Sequence, residues 1–360
     1  MATGWPMKTT YANGDVFSAS DVNDITGTIN LLQTSTLSNQ AGKNPFINGS
    51  MSVWQRGTSF AFNNESKYTA DRMYPTIVNT GATVSRQTTS DTTNLPFIQY
   101  CMRLQRNNAT TNTGSIALTS SLENVDSQRF IGQTVTLSFY ARRGSNYSSS
   151  SNVLTYYLVS GTGTDQNQAT GFTGQATPIA STATLTTTWQ KFSATATVSA
   201  SATQLAFNCF YSPTGTAGAA DYFEITGLQL ELGSYATSFS RAGGTIQGEL
   251  AACQRYYYRT ANTSTGATHA VGTGYSTTAV LALMNLPVSM RVAPTVIEYA
   301  NQSVDTGSGG STFTSMTINQ SSSGSVLLYV TGATGLTQYR PYFINNNANA
   351  AGYIGLGAEL

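Results

Sequence analysis

Long stretches of this chain alternate apolar and polar side chains with a period of two, a pattern that suits strands and almost nothing else. In TVTLSFYAR (134–142), Val135, Leu137 and Phe139 alternate with Thr136, Ser138 and Tyr140. VLTYYLV (153–159), WQKFSATATV (189–198), TQLAFNCFY (203–211) and DYFEITGLQLEL (221–232) read the same way. In the last, Tyr222, Ile225 and Leu228 drift out of alternation, which predicts a bulge near Gly227. Loops of Ser, Gly, Thr and Asn divide the runs, the longest over 161–178. Many antiparallel strands with such loops predict an all-β jelly roll or β-sandwich over 44–240. A second group predicts a smaller C-terminal β-sandwich over 260–360: 277–286, 294–300, 313–319, 325–332, 339–346 and 351–360. Between them, 241–259 reads as a connector, with GELAACQRYYY as a short helical or mixed segment after Ala242-Gly243-Gly244. No repeat of fixed period is visible, which argues against a solenoid.

Composition excludes several function classes. Charged residues make up 9% of the 360, against roughly a quarter in an ordinary soluble domain. Hydroxyls and amides must therefore carry solubility, while 20 Tyr and 15 Phe supply core. The net charge is +1 and no Lys/Arg run exceeds two residues, so a nucleic-acid partner is not expected. A single His, His269, gives little scope for His-based catalysis or metal binding. Cys101, Cys209 and Cys253 make no disulfide framework and read as buried thiols. Cys209 shares a strand face with Leu205, Phe207 and Tyr211. No apolar stretch long enough to span a membrane occurs, and the N-terminus lacks the apolar region of a signal peptide, so assembly in a reducing cytoplasm is expected.

Residues 1–43 read as an extended arm followed by a short helix. Ser18-Ala19-Ser20-Asp21 offers a start signal, and Val22, Ile25, Ile29 and Leu32 form a brief heptad seam. A helix this short needs partners. It is either a collar that oligomerises the chain or a helix packed on its own domain, and two heptads do not fix the order of an oligomer.

Four blocks stand out in fixed order. They are WPMKTTYANGDVFSASDVND (5–24), NPFINGSMSVWQRGTSF (44–60) with YTADRMY (68–74), ITGLQLELGSYATSF (225–239) and GELAACQRYYYR (248–259). In this order they resemble tail-fibre and other virion appendage proteins of tailed bacteriophages that contain a carbohydrate-binding-module-like jelly roll. The resemblance implies a virion protein assembled in the host cytoplasm, homo-oligomeric and in such families trimeric. Residues 1–43 would attach it to other virion proteins, and host-surface glycan is an expected partner, with no membrane insertion. A purely structural head fibre, capsid decoration or baseplate protein fits the same residues; a polysaccharide depolymerase fits them less well.

The candidate glycan contacts are aromatic and cationic residues on loops and strand edges: Arg142, Tyr147, Tyr156, Tyr339 and Arg340. One of Tyr156 and Tyr157 must face outward, because strand neighbours point to opposite sides. Trp54 and Trp189 read as core. Within the Tyr256-Tyr257-Tyr258 run, Tyr257 is a candidate oligomer contact beside Val22, Ile25, Ile29 and Leu32; packing between two domains of one chain is the alternative. Glu123/Asp126 and Asp221/Glu224 are the near pairs of carboxylates, and both read as turn or surface residues, so no catalytic residues are expected. No cofactor is expected; a structural calcium ion would have to draw on Asn48, Asp71 and Glu224.

Overall fold

The computed structural model describes residues 43–260, 265–307 and 309–360. The chain is all-β, 44% strand and 7% helix. The alternating segments form strands within a few residues of where their periodicity puts them.

The first unit is a sandwich of two antiparallel sheets. Its six-stranded sheet runs β1 (Ser59–Asn63), β3 (Gly81–Thr88), β4 (Tyr100–Arg106), β11 (Tyr222–Leu232), β6 (Thr134–Arg143), β9 (Gln190–Thr197). The five-stranded sheet runs β2 (Tyr74–Ile77), β5 (Ile116–Ser121), β10 (Gln204–Tyr211), β7 (Val153–Gly161), β8 (Ala176–Thr184). The chain crosses repeatedly between the sheets, the jelly-roll way of closing a sandwich. Inward residues such as Leu137, Phe139, Leu158, Phe207, Cys209 and Phe223 fill the core. Trp54 and Trp189 are buried, as expected of core residues.

The second unit pairs a three-stranded with a seven-stranded sheet. The small one runs β12 (Tyr257–Arg259), β21 (Tyr353–Gly357), β15 (Val296–Ala300). The large one runs β17 (Gly310–Ser311), β16 (Ser303–Asp305), β20 (Pro341–Asn345), β13 (Thr268–Gly274), β14 (Ala279–Asn285), β19 (Ser325–Thr331), β18 (Ser315–Ser321). Val280, Leu328, Val330, Ile344, Ile354 and Leu356 lie in its core. The segment between the units holds helix α1 (Ile246–Gln254), capped by Thr245, whose side chain accepts from Gly248 N. The last residues of that segment are already strand β12.

The bulge lies where the broken alternation predicts it: register with β6 shifts between Thr226 and Gln229, and Gly227 has φ +62°. Its freed backbone groups are taken up by the 44–60 block. Asn44 Nδ2 donates to Leu228 O (2.8 Å), Leu230 N donates to Asn44 Oδ1 (3.3 Å), and Leu228 N donates to Gly49 O (2.9 Å). A Cβ on Gly49 would lie 2.3 Å from Leu228 O, so only glycine allows this approach.

The near pairs of carboxylates are mostly buried, contrary to the surface reading. Asp221 and Arg106 are fully buried and paired at 3.2 Å. Glu224 is buried between Arg103 (2.6 Å) and Arg142 (2.5 Å). Glu123 pairs with Arg255 (3.1 Å), and Asp126 is half-buried. Nothing local to the carboxylates marks this, because the arginines come from distant parts of the chain. Arg106→Ala leaves Asp221 buried without its counterion and should cost about 3–5 kcal/mol, read as a lower midpoint in urea unfolding.

Candidate functional site

The structure buries two of the proposed glycan contacts. Tyr147 is 6% exposed, its ring 4.6 Å from Tyr211 and its hydroxyl donating to Val153 O (3.1 Å). The loop turns inward because Ser148 N (3.0 Å) and Ser148 Oγ (2.7 Å) both donate to buried Asp221. Burial pushes the Tyr147 phenol well above its usual range. Tyr156 is 3% exposed against Phe139, ring centroids 5.0 Å apart. Its neighbour Tyr157 is the outward member of the pair, 5.9 Å from Phe210. Arg142 is half-buried, its guanidinium on Glu224 and 4.8 Å from the Trp189 ring.

Tyr257 is a correction of a different kind. It is 1% exposed and lies in the seam between the two units of one chain. The Arg56 guanidinium sits 3.5 Å over its ring and 5.3 Å from Tyr68. Its hydroxyl donates to Glu298 Oε2 (3.2 Å), and its phenol crosses the bare strand at Gly355, where a Cβ would meet the hydroxyl at 2.4 Å. Tyr256 packs under Arg72 at 3.7 Å. Arg72 donates to Ser121 O (2.6 Å) and pairs with Glu359 (2.6 Å), which also takes Arg56 (3.2 Å). The Gln55 carboxamide meets the free edge of β12, donating to Tyr257 O (2.6 Å) and accepting from Arg259 N (3.4 Å). Val22, Ile25, Ile29 and Leu32 lie outside the described residues.

A cleft of about 740 Å³ opens along this seam, lined by Phe60, Tyr68, Tyr74, Arg259, Glu298 and Tyr353 among others. Several of its rings already have partners: Arg259 lies 3.4 Å over Tyr353, and Tyr68 meets Tyr74 edge-on at 4.8 Å. Glu359 is held between two guanidinium groups and acts as an anchor. The cleft therefore serves first as a joint.

The distal loops of the second unit are different. Tyr339 is 80% exposed and has φ +65°. Tyr339 is the third residue of a turn closed by Arg340 N donating to Thr337 O (3.3 Å), a place where glycine or asparagine ordinarily sits. Arg340 precedes Pro341, which disfavours helical backbone there and leaves the left-handed residue to Tyr339. The turn is locked from both sides. Tyr339 N donates to Gly274 O (2.8 Å), Thr337 N to the Tyr342 hydroxyl (2.7 Å), and Gln338 Nε2 to Tyr275 O (3.1 Å). Tyr275, 56% exposed, stands edge-on to Tyr329 at 5.9 Å. Arg340 is exposed and its guanidinium has no carboxylate within 4 Å among the described residues. The site thus joins two exposed tyrosines, a free cation and Gln338 on a rigid turn. Sequence reasoning found Tyr339 and Arg340 but not Tyr275, whose GTGYST turn carried no distinguishing signal.

No protein-family model matches this chain, and no curated protein does. Solved structures similar to it include the enzymatically active domain of tailspike protein 4 of bacteriophage CBA120 (15% identity, TM-score 0.33), matched over 53% of this chain and 21% of that one. The carbohydrate-binding module TmCBM61 in complex with β-1,4-galactotriose is similar over 53% of this chain and 99% of its own (11% identity, TM-score 0.30). The CBM22-1 xylan-binding domain of Paenibacillus barcinonensis Xyn10C is similar over 55% and 99% (12% identity, TM-score 0.29). Likeness at these TM-scores says nothing of what this chain binds.

Asn48, Asp71 and Glu224 do not form a calcium cage. Asn48 closes its own loop, accepting from Ser52 N and Val53 N (both 2.9 Å), and Glu224 lies among its arginines. Asp71 accepts from Gln55 N (3.0 Å) and Gln55 Nε2 (3.1 Å). Burial raises its carboxyl to about 7, against the pull of Arg56 and these donors. With its ordinary value about 3.9, the folded state holds this proton where the unfolded chain has lost it. Its contribution is therefore full below about pH 4 and lost as pH rises through about 7. Asp71→Asn should flatten the fall in stability between those limits, measured as urea midpoints across pH.

Proposed function

We propose that this chain is a non-enzymatic structural protein of a phage-like virion appendage, oligomeric, that contacts surface glycan through the distal loops of its second unit. The four ordered sequence blocks support the appendage reading. The observation that carries the contact site is Tyr339: a bulky residue held left-handed, exposed to solvent, beside an unpaired Arg340. Backbone strain of this kind costs roughly 1–2 kcal/mol, and the tyrosine ring gains nothing from the fold in return. A tyrosine face and a fixed cation suit a sugar ring and its hydroxyls. Single contacts of this size are weak, and several copies on one particle multiply them through effective concentration.

Purified protein added to host cells ahead of phage should block adsorption in a saturable way. Tyr339→Ala and Arg340→Ala should each weaken binding to host-envelope glycan by about tenfold. Tyr339→Gly separates function from fold: it should raise stability by about 1 kcal/mol while losing the same binding. Unaltered adsorption in the presence of correctly assembled protein assigns the chain to a purely structural head, decoration or baseplate role. Release of reducing sugar from the envelope, abolished by Glu298→Gln, assigns it to a hydrolase working in the seam cleft.

A further inference from the structure

The joint between the units leaves open space beside it. The cleft there holds about 740 Å³, inside the roughly 300–1,000 Å³ of small-molecule sites, which favour domain interfaces. Its two walls come from different units. Phe60, Tyr68 and Tyr74 stand on the first, and Val296, Glu298 and Tyr353 on the second. The four rings are each half-buried, and Val292 and Val296 on the second wall are 44% and 53% exposed. The clamp of Arg56, Arg72 and Glu359 holds the units together without calling on Phe60, Tyr74 or Val296. The charges that line the cleft are paired, with two exceptions. Arg56 is on Glu359 (3.2 Å), Lys67 on Glu65 (2.8 Å) and Arg291 near Asp165 (3.6 Å). Arg259 has no carboxylate within 4 Å among the described residues, and Glu298 has no cation within 4 Å among them. Each is instead fixed by an aromatic neighbour. The Arg259 guanidinium lies 3.4 Å from the Tyr353 ring centroid, its Nη1 donating to Arg56 O (2.8 Å). Glu298 Oε2 accepts from the Tyr257 hydroxyl (3.2 Å).

We infer that the seam cleft is a saccharide site, separate from the distal loops, and that it takes a short neutral oligosaccharide lying between the units. Half-buried rings offer flat apolar faces to the C–H side of a sugar ring. A sugar hydroxyl both donates and accepts, so one ligand satisfies both exceptions. Arg259 donates to hydroxyl oxygens, and Glu298 accepts from hydroxyl protons. One fixed charge of each sign is left over, so the ligand needs none of its own. A uronate would gain from Arg259 and be repelled by Glu298. A purely apolar ligand would strip water from both charges and give them no partner. Binding here is not cleavage. Glycoside hydrolysis takes two carboxyl groups, and Glu359, the other carboxylate side chain of the cleft, is clamped between Arg56 and Arg72. Because the walls belong to different units, a bound sugar ties the units together and stabilises the docked chain.

The test is calorimetric titration of the full chain with cellotriose, maltotriose and chitotriose, with trigalacturonic acid as the charged counterpart. At least one neutral trisaccharide should bind saturably and raise Tm, and the acid should bind more weakly. Glu298→Gln should weaken binding by about tenfold. Val296→Arg puts a cation two residues from Glu298 on the same strand face, where it occupies the cleft and engages the carboxylate. It should abolish binding. Both positions are exposed, so the near-UV spectrum and the Tm of the sugar-free chain should stay close to those of the parent. The inference is overturned if none of the neutral trisaccharides binds, or if the acid binds more tightly than they do. Both variants binding as the parent does overturns it too. Binding that survives Val296→Arg and is lost in Tyr339→Ala belongs to the distal loops and likewise sinks it.

Discussion

The two β units are joined through stacked and ion-paired guanidinium groups, and the placement of everything distal depends on that seam. Arg56 is stacked on Tyr257, with Tyr68 also within reach of its guanidinium. Arg72 covers Tyr256 and, with Arg56, grips Glu359. Arg291 donates to the backbone at Ala358 (3.2 Å) and Glu359 (3.0 Å). A chain with only 9% charged residues spends several of them here. Arginine suits the task because its planar, weakly hydrated head stacks on aromatic faces while its edges still donate hydrogen bonds. Lysine in the same places would keep the charge and lose the plane.

Two of the four sequence blocks, the second in both its parts and the fourth, meet around this seam, which changes what they mean. The WQRG segment supplies Gln55 and Arg56, the YTADRMY segment Tyr68, Asp71 and Arg72, and the CQRYYYR segment Tyr256, Tyr257 and Arg259. The ITGLQLEL strand contributes the bulge that Asn44 and Gly49 seal. The described blocks form a framework, and the exposed turn at Tyr339 lies outside them. A likeness carried by framework residues speaks to architecture; the function has to be argued from the exposed site.

Strand positions were legible because alternation and burial are two readings of one fact: a side chain on a pleated strand faces either core or solvent. The bulge at Gly227 was legible for the same reason. Individual faces were harder. Tyr156 and Tyr157 carry identical chemistry, and only register with β10 decides that Tyr156 turns inward. Tyr147 sits in a Ser- and Asn-rich loop that looks solvated until Asp221, on another part of the chain, pulls Ser148 down onto it. The arginine pairs were illegible altogether, since Arg103, Arg142 and Glu224 meet only once β4, β11 and β6 lie side by side. Tyr339 and Arg340 were named as part of the distal loops although the alternation carries a strand from 339; the strand begins at Pro341 and leaves both in the turn before it.

The carboxamide of Gln55 has a role beyond stitching two units together. By giving β12 one donor and one acceptor at the spacing of a neighbouring strand, it occupies the place where a foreign strand would otherwise add. An open strand edge invites edge-to-edge polymerisation. Here the cover comes from the first unit and the edge from the second, so the edge is closed only where the two units meet.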